Sequence, residues 1–101
     1  MAAYRKLVRD KIPELLDAKG VPYECRVASD IEYRNSLAEK LVEEVREFFE
    51  EKGSPEELAD VLEVVMALCA LPEYASVEVL RLKKRSERGG FDKRFILKGE
   101  R

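Results

Sequence analysis

Five acids in two neighbouring stretches are the residues best suited to chemistry. Glu43, Glu44 and Glu47 form one set, Glu57 and Asp60 the other, with the turn-like Lys52-Gly53-Ser54-Pro55 between them. Within each set, acids three residues apart stand on one helix face, one turn apart. Two such helices folded antiparallel bring four or five carboxylates to one place. Like charges repel and are costly to bury unpaired. Their convergence therefore predicts a bound hard cation, and Mg²⁺ with oxygen ligands is the natural candidate.

Each acid taken singly has a plainer reading. Glu57 lies three residues after Ser54, where a capping box places its acid. Glu43 and Glu50 can be solvated, and Glu44 can pair with Lys40 one turn earlier. Asp60 and Glu63 resist this explanation, because they are the only polar residues between Leu58 and Leu71. A helix apolar nearly all round is a buried one, so its acids must face a partner, a metal or a cleft.

The elements that must position these acids follow from periodicity and caps. A short helix is expected from Ile12 or Pro13 up to Gly20. Tyr23, Cys25 and Val27 alternate with polar residues and read as a short strand. Ser29-Asp30-Ile31-Glu32 opens a long helix from about Asp30 to Lys52. Its apolar stripe is Leu37, Leu41, Val42, Val45, Phe48 and Phe49, and Gly53 suits its end. Ser54 then caps a second long helix with Pro55 in its first position, limited by Pro72. A basic third helix is expected from about Ser76 to Arg88, broken by Gly89-Gly90. Phe91, Phe95 and Leu97 fit a closing strand able to pair with Tyr23–Val27.

Basic residues gather in two places. Lys83, Lys84, Arg85 and Arg88 precede Gly89-Gly90-Phe91, and Arg5-Lys6-Leu7-Val8-Arg9-Asp10-Lys11 sets bases around an apolar pair. Arg and Lys neutralise phosphates, although basic residues and a glycine are also ordinary at a helix C-terminus. Acids and bases in one small helical chain suggest a metal-bound polyphosphate ligand.

Composition narrows the classes. The chain has 101 residues, so a single domain over 1–101 is expected, with 46% hydrophobic residues to build a core. Charged residues are 40%, yet the net charge is -2, which predicts solvated helix faces rather than a nucleic-acid or membrane partner. No apolar run is long enough to span a bilayer, and no signal-peptide core is present. Cys25 and Cys69 read as reduced thiols of a cytoplasmic protein. The absence of His removes Ser-His and Cys-His catalysis and argues against zinc.

The motif Glu43-Glu44-x-x-Glu47 followed by Glu57-x-x-Asp60 resembles the EExxE…ExxD signature of the all-α nucleotide pyrophosphohydrolases. More narrowly, the chain resembles a small MazG-like, phosphoribosyl-ATP pyrophosphohydrolase-like branch. The resemblance runs through residues 6–14, Lys40-Leu41-Val42-Glu43-Glu44, residues 57–64 and Arg88-Gly89-Gly90-Phe91. It implies a mainly α helical bundle, with a minor two-stranded sheet at most, and a homodimer or homotetramer whose four-helix core draws helices from more than one copy. It also implies Mg²⁺-dependent cleavage of a nucleotide between the α- and β-phosphates. Carried over by position, Glu44, Glu47, Glu57 and Asp60 would ligate the metal. Glu43 would orient or deprotonate the attacking water, or support the metal ligands from behind, and Arg9, Lys40, Lys84 and Arg88 would bind substrate. Two departures stand out. The link from Glu47 to Glu57 is short, so the helices must turn tightly. Glu63-Val64 stands where phosphoribosyl-ATP pyrophosphohydrolase has a Tyr-His pair, which argues against that substrate. The competing reading is a non-catalytic module that binds nucleotide or Mg²⁺, or serves as an interaction partner.

Overall fold

Serine caps start both long helices of this computed structural model, which describes residues 6–100. Ser29 Oγ accepts the Glu32 N–H at 3.3 Å and opens α2, Asp30–Glu50. Ser54 Oγ accepts the Glu57 N–H at 3.3 Å and opens α3, Pro55–Cys69. Each cap satisfies a backbone donor that a helix start leaves without a partner. A shorter helix, α1, spans Ile12–Ala18 with Pro13 in its first turn. A 3₁₀ turn at Pro72–Tyr74 leads to α4, Val77–Arg88.

The turn between α2 and α3 takes only residues 51–54. It closes through the Gly53 N–H, which donates to the Phe48 carbonyl at 2.8 Å. Lys52 (φ 56°) and Gly53 (φ 77°) both adopt left-handed backbone. Gly53 takes that conformation freely, whereas Lys52 is held there by the tightness of the connection. The expected helix end at Gly53 is thus a two-residue reversal.

Helices α2 and α3 form an antiparallel hairpin, the main packing unit of the chain. Its interior is narrow. Among the described residues, Leu37 (3% exposed) and Val64 (8%) are the buried apolar ones, and Glu44 is the buried charged one. Leu37→Ala should cost about 2–5 kcal/mol, the usual range for emptying such a site, and chemical denaturation measures it. From Glu78 to Arg88 every residue of α4 is exposed.

The small sheet does not form. Residues 23–27 and 91–97 are both irregular, and no strand occurs among the described residues. Alternation makes a strand only when a ladder partner and a face to bury exist together. Here Tyr23 Oη donates to Asp17 at 2.9 Å, and the Arg26 guanidinium makes two 2.6 Å bonds to Glu32. Both contacts tie the segment to helices. No helix of the described residues is long and apolar enough to cross a membrane.

Candidate metal centre

The hairpin brings Glu44 from α2 together with Glu57 and Asp60 from α3. One carboxylate oxygen from each lies within 4.8 Å of the others. Glu44 faces α3 because it continues the Leu37–Leu41 stripe by a further turn. Glu57 sits in the first turn of α3, directly after the reversal, and Asp60 follows one turn later. Glu57 therefore does both things its spacing suggests. Its backbone N–H is taken by the Ser54 cap, while its carboxylate turns to the acids.

Two oxygens at this site lack any hydrogen-bond partner: Glu44 Oε2 and Glu57 Oε2, both buried. The Glu44 side chain is only 9% exposed. Burying a carboxylate oxygen without a donor is unfavourable, and the acids respond accordingly. Desolvation is the main force raising the Glu44 pKa, joined by the Glu47 charge, with Lys40 opposing it at 3.4 Å. Desolvation also raises Glu57, followed by the charges of Asp60, Glu44 and Glu51. Glu47 acts on both Glu44 and Glu57, but it lies outside the three that converge most closely. Glu63 is exposed and takes no part in that trio.

The N-terminal basic segment lies against these acids. Arg9 Nη2 donates to Asp60 Oδ1 at 2.7 Å, and Lys6 Nζ lies 3.0 Å from Glu43 Oε1. Lys40 Nζ also approaches Glu43 at 3.8 Å. The hydrogen bond from Lys6 is the main cause of the lowered Glu43 pKa. Arg5 lies outside the described residues. Lys6 was legible only as part of a charge run, because nothing local marks Glu43 as its partner. Lys40 pairs with Glu43 and Glu44, as one-turn spacing allows. No ion pair among the described residues joins Lys84 or Arg88 to the acids, and α4 has at most marginal packing with the hairpin.

Chemically, the site offers carboxylate oxygens alone, partly desolvated, beside the exposed cations of Lys6 and Arg9. That donor set fits a hard divalent cation and excludes the nitrogen and sulfur ligands typical of zinc. Comparison with protein-family models, curated proteins and solved structures finds no match.

Proposed function

We propose that this chain is a Mg²⁺-dependent nucleotide pyrophosphohydrolase of the MazG-like kind. It would cleave a nucleoside triphosphate or related nucleotide between the α- and β-phosphates, giving a monophosphate and pyrophosphate. The observation that carries this reading is the meeting of Glu44, Glu57 and Asp60 around buried carboxylate oxygens with no donor. Glu44, Glu57 and Asp60 would hold the cation, with Glu47 completing the acidic wall. Bound there, Mg²⁺ supplies charge neutralisation at phosphate oxygens and a lowered pKa for coordinated water.

The chain's own residues divide the remaining work. Glu43, whose pKa the Lys6 hydrogen bond holds low, is a weak base, so it suits orienting water better than deprotonating it. Arg9 serves as the counter-ion of Asp60 in the metal-free chain. Its side chain is 59% exposed, so once a cation neutralises Asp60 it can swing to a phosphate. Lys40 stays bound to the acids, and Lys84 and Arg88 stand on a helix that must approach the site for them to contribute. The acidic face excludes a bare polyanion, which favours nucleotide arriving with its cation.

The test is pyrophosphate release from a panel of ribo-, deoxy- and modified nucleoside triphosphates with Mg²⁺, beside Glu44→Gln. Release that vanishes in the variant supports the reading, and no release from any nucleotide counts against it. Mg²⁺ alone should also stabilise the chain, by about 2.7 kcal/mol at 100 times its Kd. Differential scanning calorimetry reads that shift without any substrate.

A further inference from the structure

Residues 6–11, ahead of α1, reach both helices of the hairpin with two cations. Lys6 Nζ lies 3.0 Å from Glu43 Oε1 on α2, and Arg9 Nη2 lies 2.7 Å from Asp60 Oδ1 on α3. Asp60 is one of the three converging acids, and Glu43 is the chain neighbour of another. A three-residue step in an irregular segment therefore bridges the two helices beside the carboxylates. These are tertiary contacts, with 51 residues between Arg9 and Asp60 in the chain.

Both ion pairs stand in solvent. The side chains of Lys6 and Glu43 are 42% and 37% exposed, and those of Arg9 and Asp60 are 59% and 40% exposed. Exposed ion pairs are weak and are screened by salt. Val8, Arg9, Asp10 and Lys11 are exposed, Leu7 is half-buried, and α1 beyond them packs at most marginally against the hairpin. The inner carboxylates are held differently. The Glu44 side chain is 9% exposed, and buried oxygens of Glu44 and Glu57 have no hydrogen-bond partner. The segment thus brings positive charge to the acids but no donor to their buried oxygens.

We propose that residues 6–11 are a built-in competitor of the divalent cation, a strap that holds the acids in the metal-free chain and lets go when the ion binds. The proposal rests on the reading of the acids as a cation site and assigns the regulation of that site. Strap and ion answer the same repulsion among carboxylates. They do not do so together, because an ion taken up by Asp60 brings two further positive charges against the Arg9 guanidinium. The ion displaces the strap because it satisfies the buried oxygens that Lys6 and Arg9 leave without a partner. Coupling is reciprocal, so a strap that the ion displaces must weaken the ion's binding by the same factor. The strap therefore sets the cation concentration at which the site fills, and below it Glu43 and Asp60 stay engaged.

Calorimetric titration with Mg²⁺ alone tests the strap, together with dicarbonyl labelling of arginines read by mass spectrometry. Arg9→Ala should bind Mg²⁺ roughly 5-fold or more tightly than wild type, within the usual span of such couplings. In the unmodified protein, saturating Mg²⁺ should speed the labelling of Arg9 several-fold. Arg26 and Arg81 should not change, since they pair with Glu32 and Glu78. Equal or weaker Mg²⁺ binding by Arg9→Ala overturns the proposal and leaves the cation site standing, and so does Arg9 labelling that Mg²⁺ does not alter. Mg²⁺ that fails to bind wild type, or that binds Glu44→Gln equally well, overturns the cation site and the strap together. If Arg9→Ala fails to fold, the labelling of the unmodified protein decides alone.

Discussion

Asp60→Asn is expected to lower Mg²⁺-dependent pyrophosphate release by about 100-fold or more, while leaving the fold intact. Substitutions that merely touch a metal's ligands cost ~10–100-fold, so losing a ligand should cost at least as much. The fold survives because the Asp60 side chain is 40% exposed and its hydrogen bond goes to an exposed arginine. Exposed ion pairs of this sort contribute about 0–1 kcal/mol. Removing the Asp60 charge also relieves Glu57, whose pKa it helps to raise. Circular dichroism and melting should therefore match the wild type without metal, and the Mg²⁺-induced stabilisation should shrink sharply. Full retained activity would remove Asp60 from the site.

Glu44→Gln should behave differently, stabilising the metal-free chain while abolishing activity. The sign follows from the raised Glu44 pKa. An acid with a raised folded-state pKa holds its proton more tightly in the native chain. Its ionisation weakens the fold as pH climbs from the ordinary glutamate range through the native value. Below that range wild type and variant should melt together. Above it the variant should melt higher, by about 4–8 °C for each kcal/mol relieved. Glu47 and Glu57 interact with Glu44, so the transition belongs to the acids as a group. Saturating Mg²⁺ should close the gap by stabilising wild type alone. A melting difference that does not vary with pH would mean that Glu44 bears no such burden.

Much of this was legible in the residues. Ser29 and Ser54 marked their helix starts, because a cap needs only a side-chain oxygen three residues before a backbone donor. The three-residue spacings within the acid sets, with the short turn between them, placed Glu44, Glu57 and Asp60 together. Other features depend on distance in space. Tyr23–Val27 looked like a strand because alternation describes one segment, whereas a ladder needs two. The left-handed Lys52 escaped notice because Gly53 was the expected site of reversal. The attachment of Lys6 and Arg9 to Glu43 and Asp60 spans many residues, and no local pattern encodes it.

The turn at residues 51–54 also bears on the order of events during folding. The three converging acids come from one helix–turn–helix unit, so the contacts that assemble them are close in the chain. Contacts of low sequence separation form fast. The acidic pocket should thus be built in a first-order step whose rate is independent of protein concentration. Dilution should consequently leave the rate of pocket formation unchanged.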